Sequence, residues 1–144
     1  MVVNGREVGE SGILAGIAGS FETPVVLVSG DRAACDELTD LLGPSLATAP
    51  VKSGLDRYAT RTLPPADARD LIERTSASAM AEPQKWPAPW RPEPSVRIEV
   101  EFATPDAAAE VAQRPGVDRR GPRSVCAVAP SFWEAWRCLW PPLD

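Results

Sequence analysis

The 144-residue chain is 44% hydrophobic and carries 15 basic against 20 acidic residues, a net charge of −5. That length supports one domain with a real core and is too short for two ordinary ones, so residues 1–144 are expected to form a single domain. An acidic balance without a basic cluster argues against nucleic acid or a membrane surface as partner, and the longest apolar run, Pro24 to Val28, falls far short of the roughly 18 residues of a membrane span.

The N-terminal stretch is the one around which the rest is expected to pack. It reads as a short strand, a turn at Asn4-Gly5, a helix from Glu10 to Gly19 and an apolar strand over Val25 to Ser29 that leads into Gly30-Asp31. Asn4, Arg6, Glu7 and Glu10 occupy the place where the apolar core of a signal peptide would stand, so no such peptide is expected. Within the helix, Gly12, Gly16 and Gly19 stand at i, i+4 and i+7, which leaves one face open to close approach by another backbone. Each glycine costs roughly 0.5–1 kcal/mol in a helix relative to alanine, so three on one face point to a contact that needs the room. Glu10 falls in the first helical turn, where the helix dipole favours an ionised carboxylate. On that chemistry alone it is a helix-start acid.

The continuous apolar run at Val25 suits a strand covered on both faces, as in a parallel or mixed sheet. Asp31 then caps a helix whose Ala34, Leu38, Leu41 and Leu42 form one stripe before Gly43-Pro44 stops it. Because Asp31 also stands at a strand's C-terminal end, where α/β folds place functional groups, a cap and a ligand contact are both open to it. Leu46 to Val51 reads as another strand, with Pro50 confined to an edge or a strand end. Lys52, Arg57, Tyr58 and Arg61 follow in a polar loop; bases at this spacing can hold a substrate carboxylate or pair with nearby acids in solvent. Pro64-Pro65 opens an amphipathic helix with Ala68, Leu71, Ile72, Thr75 and Ala79 on one side.

Residues 82–95 separate a first part, 1–81, from a second, 96–144. With five prolines and two tryptophans between Glu82 and Pro94, the separator reads as an extended connector that Trp86 and Trp90 pin to its own domain. Val96, Ile98, Val100 and Phe102 then alternate with Arg97, Glu99 and Glu101, a strand with one buried and one wet face. Glu99 and Glu101 read as solvated strand residues rather than an acid–base pair. Thr104-Pro105 opens a helix that ends before Pro115-Gly116, Ser124 to Val128 is a last strand, and the capping box Ser131-x-x-Glu134 opens a helix striped by Phe132, Trp136, Leu139 and Trp140 that should be buried. The fold class is therefore α/β: a mixed sheet of about five strands with about five flanking helices, alternating strand and helix. Cys35, Cys126 and Cys138 fit no metal-ligand spacing, and reduced cysteines in a cytoplasmic protein are the simplest account. With no histidine in the chain, a cysteine nucleophile lacks its usual base, and no catalytic residue is assigned.

Several motifs occur here in one order: Asn4-Gly-x-x-Val-Gly-Glu10-x-Gly, an Ala-Gly pair, Pro24-Val-Val-Leu-Val-Ser-Gly-Asp31, Val51-Lys52, Arg57-Tyr-Ala-x-Arg61 and Ile98-Glu-Val-Glu-Phe102. Together they resemble the C-terminal half of the zinc-dependent D-aminopeptidases associated with bacterial dipeptide transport. The resemblance implies that Glu10, matching the glutamate of the family's Val-Gly-Glu, is a metal ligand. The family's other ligands, an Asp-x-Glu pair and histidines, lie upstream of the matched part, so this chain is not expected to hold zinc fully by itself. The implied substrates are short D-amino-acid-containing peptides, with Asp31, Lys52, Arg57 and Arg61 as candidate substrate-binding residues, and the complete family protein is a ring-like homo-oligomer. Two positions depart from the family pattern: Arg32 replaces a second acid after Gly-Asp, and Leu14 stands where asparagine is common.

Two functions of different class follow. One is the C-terminal portion of a metal-dependent D-aminopeptidase that is inactive alone because most metal ligands are absent. The other is a non-catalytic family remnant acting as an oligomerisation or binding module.

Overall fold

The computed structural model describes residues 1–141. In chain order the elements are β1 (Val2–Val3), β2 (Arg6–Glu7), α1 (Glu10–Ser20), β3 (Leu27–Asp31), α2 (Arg32–Leu42), β4 (Ala47–Asp56), β5 (Ala59–Thr62), α3 (Pro65–Ala81), β6 (Val96–Glu101), α4 (Pro105–Val111), β7 (Val117–Arg119), β8 (Ser124–Ala129) and α5 (Phe132–Leu139). The class is α/β. The strands, however, divide between two sheets where one mixed sheet of about five was expected: an antiparallel sheet in the order β2-β1-β6-β8-β7 and a mixed sheet in the order β3-β4-β5. The chain correspondingly forms two compact units, Gly9–Trp90 and Met1–Val8 with the chain from Arg91 onward. The N-terminal stretch thus serves both units, because β1 pairs with β6 through Val2↔Glu99 and Val3↔Ile98 while α1 belongs to the other unit.

In the Gly9–Trp90 unit, β3 and β4 are parallel and β4 and β5 antiparallel. β3 starts at Leu27 and is only half-buried, with Ser29 exposed. As an end strand of a three-stranded sheet it lacks the cover that its apolar run suggests. Pro50 lies inside β4, the middle strand, and not at an edge or end. The β3–β4 register slips beside it, from Gly30↔Pro50 to Asp31↔Lys52. Proline's missing N–H therefore falls where the ladder is already interrupted.

The segment from Lys52 to Arg61 is a hairpin and not a loop. Lys52 ends up opposite Thr62, Ser53 opposite Arg61 and Gly54 opposite Thr60. All of β5 is exposed, so its residues show no apolar alternation from which a strand is readable.

The core of this unit gathers Ala15, Leu38 and Leu46, with Val25, Val28, Leu41, Leu42 and Trp90 packed on it. The glycine face of α1 has the close neighbour that its composition demands. A Cβ on Gly19 would lie 2.0 Å from the Trp90 carbonyl oxygen and 2.8 Å from its carbon. The connector is held at Trp86 and Pro87: Pro87 is buried, and the Trp86 indole Nε1–H donates to the Ala79 carbonyl at 2.8 Å. On α3, the positions Ala68, Leu71, Ile72, Thr75 and Ala79 are all half-buried, as their spacing requires.

In the other unit, Asn4 and Gly5 have φ of +48° and +84°. That is the left-handed pair a two-residue hairpin turn uses, and Asn-Gly supplies it at least cost. Asn4 also binds the start of β6, its Oδ1 accepting from Arg97 N–H at 2.8 Å and its Nδ2 donating to the Glu93 carbonyl at 2.9 Å. Val96, Ile98 and Val100 of β6 and Val125, Cys126 and Ala127 of β8 are buried, together with Phe132, Ala135 and Leu139 of α5. Ser131 caps α5, accepting from Glu134 N–H at 3.3 Å. Trp136 and Trp140 are half-buried, their rings stacked 4.4 Å apart, so α5 is buried along one face rather than all round.

Gly19→Ala is expected to lower stability by about 1–3 kcal/mol through overpacking against a backbone that cannot rotate away, although alanine is the better helix former. Urea unfolding of the two proteins measures it, and an unchanged or higher midpoint would contradict the Trp90 contact.

Candidate functional site

Glu10 is the first residue of α1, and its side chain is exposed. Gly9 is the N-cap and lends the helix no side-chain cap. Its N–H donates instead to Glu37 Oε1 of α2, at 2.7 Å. Glu37 therefore satisfies one helix-start donor and leaves the Glu10 carboxylate with no hydrogen-bond or ion-pair partner among the described residues. The dipole favours the ionised acid at this end. An exposed carboxylate at a helix start is a sound donor for a hard or borderline cation, but one donor is not a site. Zinc in a catalytic centre takes three protein ligands, whereas no group of three or more His, Cys, Asp or Glu among the described residues could hold a metal ion. The residues present do not by themselves fit a catalytic zinc.

The four candidate substrate-binding residues separate into two neighbouring depressions. Asp31, Lys52 and Arg57 line one of about 290 Å³, together with Asp56, Tyr58 and Thr60. The register explains the grouping: Asp31 pairs with Lys52 across β3–β4, and the β4–β5 turn brings Arg57 and Tyr58 over the same end of the sheet. Arg57 lies 5.4 Å from the Tyr58 ring centre, a cation–π contact on an exposed tip. Asp31 takes the capping role, its Oδ1 accepting from Ala33 N–H at 2.9 Å at the start of α2, and the residue also lines the depression. Arg61 stands apart, in a second depression that it shares with Lys52 and Arg32. Sequence reasoning missed Asp56 and Arg32 as lining residues. Arg32 carried a readable signal: as the first residue of α2 it puts a cation at the positive end of a helix, where the dipole disfavours it.

The acids of β6 are paired with bases. Glu99 pairs with Arg97, whose guanidinium is held above its ordinary range by that hydrogen bond, and Glu101 pairs with Arg123. None of the three cysteines is in a disulfide; Cys35 and Cys126 are buried and Cys138 is half-buried. Burial, and next the Asp36 carboxylate, push the Cys35 thiol up, away from a nucleophilic thiolate.

The chain is similar to known proteins over nearly its whole length. The family model described as D-aminopeptidase matches residues 1–140. The D-aminopeptidase of Bacillus subtilis (strain 168) is 33% identical over 138 residues, which are 95% of this chain and 50% of that protein. Among solved structures, the Zn-dependent D-aminopeptidase DppA from Bacillus subtilis, described as a self-compartmentalizing protease, matches with a TM-score of 0.83 at 31% identity, over 94% of this chain and 49% of that one. The chain spans about half the length of these relatives.

Two outcomes follow from the geometry. Asp31→Ala is expected to cost about 1 kcal/mol through the lost α2 cap, and Asp31→Asn much less, in thermal unfolding. In folded protein at pH 8, a small alkylating reagent should modify Cys138 first. Cys35, whose raised pKa keeps it protonated at that pH, should react only at higher pH or on unfolding, as peptide mass analysis will report.

Proposed function

The chain belongs to the D-aminopeptidase family, and on that footing we propose that it is the C-terminal portion of a metal-dependent D-aminopeptidase, an enzyme that hydrolyses the peptide bond after an N-terminal D-amino acid. The observation that carries this reading is the Glu10 carboxylate, held exposed at the mouth of α1 with its neighbour Glu37 taking over the local capping work. Glu10 contributes one oxygen donor to a zinc centre whose other donors come from polypeptide outside this chain. The chain alone is consequently inactive.

The depression at the end of the β3-β4-β5 sheet supports a substrate of this kind. It presents Asp31 and Asp56 beside Lys52 and Arg57, so both signs of charge are available to a short zwitterionic peptide, an ammonium to the acids and a carboxylate to the bases. These residues bind and orient; no proton transfer is assigned to them. The complete protein is read as a cytoplasmic homo-oligomer, in keeping with the self-compartmentalizing description of the solved relative.

Purified alone, the chain should contain substoichiometric zinc and release no measurable D-alanine from D-alanyl-D-alanine. Mixed with the half of the Bacillus subtilis enzyme that it does not match, it should gain zinc and turnover, and Glu10→Gln should remove both. Robust turnover by the chain alone would refute this picture of the site, and reconstitution indifferent to Glu10→Gln would favour the non-catalytic binding module.

A further inference from the structure

Between Glu10 and its last residue, Ser20, α1 has apolar side chains on every side: Ile13, Leu14, Ala15, Ile17 and Ala18 alternate with glycines, and Ser11 is the only other polar residue. A helix that is apolar all round is ordinarily enclosed. Here only one side is. Gly12, Ala15, Gly16 and Gly19 are buried, whereas Leu14 and Phe21, the C-cap, are each 58% exposed and Ile17 is half-buried. At about 100° per residue, Glu10, Leu14, Ile17 and Phe21 stand at i, i+4, i+7 and i+11 in one narrow stripe, opposite the buried one. The exposed stripe is therefore headed by the Glu10 carboxylate and is hydrocarbon from there on.

The neighbouring helices are built differently. α2 turns Arg32, Asp36 and Asp40 outward and α3 turns Arg69, Asp70 and Glu73 outward, as helices facing water do. Leaving apolar surface in water forgoes about 25 cal/mol for each Å² that a partner would cover. Large apolar side chains lined up on one exposed face mark an interaction surface.

Glu10 indicates what covers it. Read as one zinc donor among several, the reading on which this inference rests, Glu10 requires the other donors within about 2 Å of the same ion. The polypeptide that bears them then comes within a few ångström of the Glu10 carboxylate, and Leu14 is one turn away, about 6 Å along the axis. A folded segment that reaches Glu10 from the solvent side lies over Leu14 too, and Ile17 and Phe21 continue the line. The relatives are about twice as long as this chain and contain a further half that it does not match. We propose that the stripe of Leu14, Ile17 and Phe21 is the docking surface for that half of a D-aminopeptidase, an apolar seam that seats it over Glu10. Three side chains make up only part of the roughly 800 Å² that each partner of a self-standing interface contributes, which suits a seam between two halves of one fold rather than contact with a second copy.

The test is co-expression of the tagged chain with the half of the Bacillus subtilis enzyme that it does not match, followed by purification in a metal chelator, so that capture reports the apolar contact alone. The half should co-purify, and Leu14→Gln combined with Phe21→Gln should lower its capture about tenfold or more. Circular dichroism verifies that the double variant folds. Alkylation of Leu14→Cys, followed by peptide mass analysis, needs no disruptive substitution and should slow about tenfold or more in the complex relative to the chain alone. No capture, capture indifferent to the double substitution, or an unslowed Leu14→Cys would overturn the surface. Self-association of the chain that the double substitution abolishes would assign the stripe to a second copy and overturn the occupant proposed. Zinc added back to the complex separates the two readings: a complex that forms through the stripe and takes up no zinc keeps the surface and removes the peptidase reading, whereas one that takes up zinc but ignores the double substitution does the reverse.

Discussion

The meeting of Gly19 with the Trp90 backbone is the contact on which the Gly9–Trp90 unit depends. A helix normally keeps other chains at side-chain distance, yet here a carbonyl reaches to where a Cβ would be. That approach brings the end of the proline-rich connector against α1, and with it the Trp90 side chain onto Ala15, Leu38 and Leu46. The helix bearing Glu10 is fastened at its C-terminal end by this contact and near its N-terminal end by Glu37. The helix that opens on Glu10 is thus tied at both ends.

Much of this was readable in the residues. The i, i+4, i+7 glycines announced a close backbone neighbour without naming it, since nothing local says which distant segment will arrive. Asn4-Gly5 named its own turn because few other residue pairs tolerate two left-handed conformations. The stripe of α3 and the alternation of β6 gave their faces directly, because burial on one side imposes a period. The hairpin around Lys52 to Arg61 escaped because both of its faces in β5 are wet and no period is imposed. Division into two sheets escaped for a different reason: pairing of β1 with β6 joins residues about a hundred positions apart, and short strands carry no address for their partners.

The candidate site was legible in kind more than in arrangement. Lys52, Arg57 and Arg61 were recognisable as bases suited to anions, but their grouping depends on strand register, which a one-residue slip rearranges. Register here is set by the irregularity between Gly30 and Asp31. It places one basic side chain, Lys52, at the boundary of two depressions of different character, one of mixed sign and one wholly cationic. Glu10 is the reverse case. Its place at the helix start was plain, while its significance comes from family membership and from a half of the relatives' length that this chain does not span.

One consequence of the chain's path concerns its synthesis. The Gly9–Trp90 unit is continuous in sequence, whereas the unit around it needs residues from both sides of that insertion. During translation the inner unit has all its parts once Trp90 has left the ribosome, but the outer sheet must wait for β6 and β8 while β1 is held ready. At about 5–20 residues per second, that is an interval of seconds in which the apolar edge of the first strand is unmatched.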